Sequence, residues 1–186
     1  GEWVPVKGYS ADPTGDRAAA AGDGLLRKYP GRALWLLTAA CAGHCRYCTR
    51  RAYPYAGLEP TPAGIQRCLG RLRNDPSIDE LILSGGDPLL VSERLLSLVL
   101  SGAAAIPQLR TLRIHTRLPV FLPGRFTASF VRRLASFPRR KVLVAHVNHA
   151  RELDRKSAGV FAALASAGYT LFNQAVLLRG VNDTAA

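Results

Sequence analysis

Ala33-Leu-Trp-Leu-Leu-Thr38-Ala-Ala-Cys41-Ala-Gly-His-Cys45-Arg-Tyr-Cys48 is the stretch that decides how this chain of 186 residues folds. A short apolar run rich in strand formers stops at Thr38, and three cysteines crowd the loop that follows. The same pattern repeats downstream. Glu80–Ser84 runs into Ser84-Gly85-Gly86-Asp87, Thr111–His115 into His115-Thr116-Arg117, and Lys141–Val147 into His146-Val147-Asn148-His149. A fifth run, Thr170–Leu178, carries Asn173-Gln174 within it. Each run is continuous rather than alternating, as expected for strands buried on both faces of a parallel sheet.

Between the runs lie amphipathic helical patterns. One opens at Thr61-Pro62, a cap residue followed by Pro at the first helical position, and places Ile65, Cys68, Leu69 and Leu72 on one stripe. Others open near Ser92 with Leu95, Leu96 and Val99, near Thr127 with Phe130, Val131, Leu134 and Phe137, and near Asp154 with Val160, Phe161 and Leu164, closing at Gly168. Strands alternating with helices predict an α/β fold built of βα units. Residues 1–32, with Pro5, Gly8, Pro13, Gly15, Gly22 and Gly24 and little periodicity, read as an N-terminal extension, and 33–186 as the core domain.

No stretch approaches the roughly 18 apolar residues of a membrane span, and the start lacks a secretory layout, so the expectation is a cytoplasmic protein with no membrane partner. The chain contains no Met, which reads as a fragment of a longer protein. A formal charge of +12 invites a nucleic-acid or acidic partner. The basic residues are spread in pairs such as Arg50-Arg51, Arg132-Arg133 and Arg139-Arg140, with 21 Arg against 4 Lys, and read instead as composition and solvated helix faces.

In a sheet of this kind function gathers where strands end and loops begin. Three thiolates spaced by three and two residues can each take one iron of a compact 4Fe-4S cluster and leave the fourth iron open. The alternative is zinc, with His44 or Cys68 as a fourth ligand. Cys68 is expected in the core, and His44 lies awkwardly between two of the thiols. Gly85 and Gly86 allow close backbone approach, and Asp87 can accept an ammonium group. His146 and His149 taken singly read as ordinary core or loop histidines, and Gln174 in a buried strand needs a partner.

Cys-x3-Cys-x2-Cys followed by Gly-Gly-Asp resembles the radical S-adenosylmethionine (SAM) signature. Within it, several phrases resemble the lysine 2,3-aminomutase family: Lys28-Tyr-Pro-Gly-Arg32, Cys45-Arg-Tyr-Cys-Thr-Arg-Arg51, Leu83-Ser-Gly-Gly-Asp-Pro-Leu89, Arg113-Ile-His-Thr-Arg-Leu-Pro-Val120, His146-Val-Asn-His149 and Asn173-Gln-Ala-Val-Leu-Leu-Arg-Gly-Val-Asn-Asp183. Gly24-Leu-Leu-Arg-Lys-Tyr and Pro54-Tyr55 look most like the branch that makes β-lysine for elongation factor P, whereas Thr49 is more typical of the free-lysine branch.

The resemblance implies a partial (β/α) TIM-like barrel of radical SAM type, with five of about six strands in this chain. It implies a 4Fe-4S cluster on Cys41, Cys45 and Cys48, SAM contacted by Gly85, Gly86, Asp87, His146 and Gln174, and Arg50 on the carboxylate of the L-lysine substrate. Pyridoxal 5′-phosphate (PLP) would be contacted by Arg32. An electron donor for the cluster and a pathway link to elongation factor P and its lysyl ligase follow, with no direct nucleic-acid contact. The family's PLP-binding lysine lies further along, and none of Lys7, Lys28, Lys141 or Lys156 matches it, so the 186-residue chain alone is expected to be inactive. Alternatives are a radical SAM enzyme without PLP, a catabolic free-lysine aminomutase, and a zinc-stabilised nucleic-acid-binding module.

Overall fold

The computed structural model describes residues 7, 8, 10–58 and 60–184, so residues 1–6 and 9 of the expected extension lie outside the described part. Six strands form one sheet in chain order: β1 (Leu25–Tyr29), β2 (Arg32–Thr38), β3 (Glu80–Gly85), β4 (Thr111–Thr116), β5 (Arg140–Ala145) and β6 (Tyr169–Asn173). From β2 to β6 every pairing is parallel, as the sequence predicts. The expectation of a wholly parallel sheet fails at β1, which folds back antiparallel on β2. A two-residue connection, Pro30-Gly31, can only make a hairpin, since a parallel return needs a crossover of a dozen residues or more. Part of the stretch read as an extension is therefore an edge strand. The order is linear and the described β1 and β6 do not pair, so the chain forms an open α/β sheet and closure into a barrel is not observed.

Helices α1 (Pro62–Arg73), α2 (Glu93–Ala104), α3 (Leu118–Phe121), α4 (Ala128–Leu134) and α5 (Arg155–Ser166) fill the connections. The cap signals act as predicted. Thr61, Ser92, Thr127 and Asp154 each accept a hydrogen bond from a backbone N–H in the first turn, at Gly64, Leu95, Phe130 and Ser157. Gly168, with φ +84°, follows α5 as the left-handed residue that ends it. The short α3 has no sequence signature that distinguishes it from loop.

The sheet has two unlike faces. Leu25, Trp35, Leu37, Leu81, Leu83, Leu112, Ile114 and Leu143 point to the helices and join Ile65, Cys68, Leu69 and Leu72 of α1 in one buried core. Each such side chain contributes about 1.5–3 kcal/mol by leaving water. Because side chains alternate along a strand, the residues between them line the opposite face: Leu26, Lys28, Leu36, Glu80, Ile82, Ser84, Arg113, His115 and Val144. In β4 the alternation is plain, with Leu112, Ile114 and Thr116 buried and Arg113 and His115 half-buried.

Two runs are shorter than expected. The fourth ends at Ala145 rather than Val147, and the fifth at Asn173 rather than Leu178. Among the described residues β6 pairs with β5 alone, so Phe172 is 54% exposed and Gln174, expected in a buried strand, lies exposed just past its end.

Candidate functional site

Parallel strands end on one edge of the sheet, and that edge gathers the loops carrying Cys41–Cys48, Gly85–Asp87, Arg117 and His146–His149. Ser84 pairs with Leu36, Leu83 with Ile114, and His115 with Val144, which pairs with Phe172. Ser84 and His115 are thus one layer below the edge, with His146 and Gln174 two residues above Val144 and Phe172.

The two glycines have a local cause. A Cβ on Gly86 would stand 2.2 Å from the Ala40 carbonyl oxygen and 2.6 Å from that of Ala39, and one on Gly85, at φ +124°, 2.5 Å from that of Thr38. The loop after β3 is stitched to the entry of the cysteine loop by Gly86 N to Thr38 O at 2.6 Å and Asp87 N to Ala40 O at 2.7 Å. The Asp87 side chain is 5% exposed. Its carboxylate accepts from the Thr116 hydroxyl, from Arg117 N at 2.8 Å and from Leu89 N at 3.1 Å. Burial pushes its pKa up against the pull of those hydrogen bonds. Gly85, Gly86 and Asp87 therefore fix the backbone on which Cys41 sits.

Cys41, Cys45 and Cys48 are all free thiols in one loop, closed by a turn from Cys48 N to Cys45 O at 3.1 Å. Burial, the Asp87 carboxylate and the Cys48 and Cys45 thiols push the Cys41 thiol up to about 11. Among the described residues no three His, Cys, Asp or Glu side chains stand within reach of one metal ion. The loop collects the thiols at one strand end without drawing them onto a point. As a donor set, three thiols on one short loop suit an iron-sulfur cluster. Cys68 is fully buried on α1, where its thiol donates to Asp23 O at 3.2 Å, and His44 is exposed.

Arg117 locks this loop. Its guanidinium donates to Cys45 Sγ at 3.1 Å, the Tyr47 hydroxyl at 2.8 Å, His146 O at 3.1 Å and the Glu152 carboxylate, and lies 4.1 Å from the centre of the Phe121 ring. Glu152 also accepts from Asn148 N at 2.9 Å and His149 N at 3.1 Å, and Asn148 donates to the Tyr47 hydroxyl. The sequence marks Arg117 only as part of the strand-end cluster His115-Thr116-Arg117 and Tyr47 only as a member of the cysteine loop, and it gives no sign of Glu152 or of the contacts that join the three.

The remaining predicted residues divide. Arg50 donates from Nε to Asp16 Oδ2 at 2.6 Å and from Nη1 to Ser84 Oγ at 3.3 Å. The His115 and His146 rings meet edge to face at 5.8 Å. Burial, His146, Arg113 and Arg50 push His115 down to about 4, against a hydrogen bond with Gln174 that favours the charged form. Burial, Arg117 and Arg50 lower His146 too, so the site favours the neutral form of both imidazoles. His146 Nε2 is buried with no hydrogen-bond partner among the described residues, an arrangement native cores avoid unless something else supplies the bond. Arg32 is not with this group. It pairs with Glu80 at 2.8 Å at the start of β2, four residues and about 13 Å of strand from Leu36. Arg113 holds the other oxygen of Glu80 at 2.6 Å.

Known proteins match the chain over this whole region. L-lysine 2,3-aminomutase of Escherichia coli is 42% identical over 99% of the chain, and that of Haemophilus influenzae 40% over 99%; the chain covers 54% of each. The Clostridium subterminale L-lysine 2,3-aminomutase is 38% identical over 92% of the chain, which covers 41% of it. The chain thus spans about half the length of the curated relatives it matches. The model of the 4Fe-4S single cluster domain matches residues 22–116, from just before β1 to the end of β4. Half of the chain, including all three loop cysteines, lies inside that match, and the chain belongs to the 4Fe-4S single cluster domain family.

Proposed function

We propose that this chain is the cluster- and SAM-binding part of a radical SAM lysine 2,3-aminomutase that converts L-lysine to β-lysine with PLP as second cofactor. The observation that carries the reading is the meeting of the three-thiol loop with Arg50, His146 and Gln174 at one edge of the parallel sheet. Bound there, the cluster and SAM would supply a carbon radical, and PLP would supply the carrier on which the amino group moves.

The chain's own part is placement. Cys41, Cys45 and Cys48 would hold the cluster. His146, through an Nε2 that has no partner among the described residues, and Gln174 would offer hydrogen-bonding groups to SAM, while Gly85, Gly86 and Asp87 keep the loop beside it in register. Arg50 would grip the substrate carboxylate with the planar fork that Lys lacks. Arg32, on the same face of the sheet but lower, would serve the PLP phosphate. The open sheet is read as part of a TIM-like barrel completed elsewhere in the protein, in a cytoplasmic enzyme served by an electron donor. The Gly24–Tyr29 and Pro54-Tyr55 phrases favour the branch whose β-lysine goes to elongation factor P through its lysyl ligase.

Anaerobic reconstitution of the full-length protein, followed by iron, sulfide and zinc analysis and an assay for β-lysine, tests this. About four irons with sulfide and β-lysine formation are expected; stoichiometric zinc without sulfide would end the reading.

A further inference from the structure

We infer that Asp16 positions Arg50, by sharing one buried carboxylate between the Arg50 and Lys28 side chains; this rests on the reading of Arg50 as the group that holds the substrate carboxylate. Asp16 lies in the irregular segment before β1, where the sequence marks no function, yet it is 1% exposed. A carboxylate that deep is costly unless paired. It is paired twice, with Lys28 Nζ at 2.8 Å on Oδ1 and Arg50 Nε at 2.6 Å on Oδ2. The two cations outweigh the cost of burial and hold the carboxyl below the usual range.

The segment that carries Asp16 is bracketed onto the cysteine loop. The Asp12 side chain accepts from Asp16 N at 2.9 Å and Arg17 N at 3.0 Å, and Arg17 reaches across to Ala52 O at 2.6 Å. Asp16 is thereby held by contacts that do not involve Arg50. With Nε on Asp16 and Nη1 on Ser84, the guanidinium is held in the layer of His115, and its charge depresses both His115 and His146. A long Arg side chain otherwise loses rotamer freedom on binding, and fixing it in advance removes that cost. The charge count also suits an anion, since one carboxylate between two cations leaves the cluster at +1, which a bound carboxylate would neutralise.

Lysine titrated into the reconstituted full-length protein, without reductant, gives an affinity independent of turnover. Asp16→Asn keeps shape and one acceptor but removes the charge. It is expected to weaken lysine binding about tenfold and raise KM more than it lowers kcat, with iron content and SAM affinity unchanged. Asp16→Asn combined with Arg50→Lys should be little worse than Arg50→Lys alone, because both act through one group. If Arg50→Lys weakens binding and Asp16→Asn does not, the inference falls and the reading stands; if neither does, the reading of Arg50 falls. Loss of iron and of thermal stability together in Asp16→Asn would make Asp16 a structural brace and overturn the inference. Asp16→Glu then serves as the second probe: it keeps the charge but moves the guanidinium, so unchanged lysine affinity would also overturn it.

Discussion

The two faces of the sheet do different work with neighbouring residues of the same strands. On β3, Leu81 and Leu83 are fully buried against helices, while Glu80 and Ser84 face the other way and bind Arg32, Arg113 and Arg50. The helix face needs only apolar side chains of suitable volume. The other face is held by ion pairs, Arg32–Glu80–Arg113 at its lower end and Lys28–Asp16–Arg50 near the cysteine loop. The first face settles where the strands lie; the second settles what gathers at their ends.

The largest effect expected from breaking this division is on the strand-end loop. Cys41→Ala, Cys45→Ala or Cys48→Ala should each abolish cluster binding in the full-length protein, read as loss of iron and sulfide after reconstitution, with little change in unfolding of the metal-free form. Retention of full iron in any one of them would remove that cysteine from the ligand set.

Next come the faces themselves. Leu83→Ala should cost about 2–5 kcal/mol in urea unfolding of the metal-free protein, because the packed helix layer cannot collapse into the space. Ser84→Ala, one residue along, should cost about 1 kcal/mol or less, since it loses one long hydrogen bond to Arg50 and no packing. Equal costs at the two positions would mean that the polar face is as tightly packed as the helix face.

His115 gives the comparison a pH dependence. Its folded pKa of about 4 lies below the ordinary 6.5, so folding favours the neutral ring. The unfolded chain binds the proton first as pH falls, and the stability owed to the neutral ring is complete above about 6.5 and lost as pH falls toward 4. The loss is at most about 3.5 kcal/mol, at roughly 1.36 kcal/mol per pH unit. His115→Asn should flatten this part of the stability curve, measured by urea unfolding from pH 7 to 4. Identical slopes in wild type and variant would show that His115 is solvated and ordinary.

The apolar face was legible in the sequence because it obeys simple periodicities. The N-caps at Thr61, Ser92, Thr127 and Asp154 and the stripe Ile65, Cys68, Leu69, Leu72 are local patterns, and local bonds make them. The hairpin strand Leu25–Tyr29 was missed because its neighbours are glycine-rich and its own five residues are too few to show a pattern. Runs such as Thr111–His115 were read as uniformly buried because Arg113 and His115 were passed over as interruptions rather than as one side of an alternation. The strand-end loops were found by following each apolar run to its end, the thiols by their spacing, and the roles of Arg50, His146 and Gln174 only through the family resemblance. Their supports, Asp16, Arg117 and Glu152, join residues that are 34, 72 and 35 positions from Arg50, Cys45 and Arg117 respectively, and no local pattern carries such contacts.

The smallest effect on iron content is expected at the fourth cysteine, and it closes the contrast with the first prediction. Cys68 belongs to the helix face: it is fully buried on α1 beside Leu69 and Leu72, and burial, with the Asp23 charge, pushes its thiol up to about 12. What sets it apart from the loop thiols is place: it lies in the packed helix layer with its thiol donating to Asp23 O, where neither a metal nor a reagent reaches it. Cys68→Ala removes one small side chain and its hydrogen bond to Asp23 O, at a cost on the order of 1 kcal/mol in unfolding, and should leave iron content unchanged. In the folded metal-free protein Cys68 should also resist alkylation at pH 7.5 until denaturant is added. Mass spectrometry of the labelled protein decides this: rapid labelling of Cys68 under native conditions, or loss of iron in Cys68→Ala, would place it with the loop thiols and return the four-ligand zinc site to consideration.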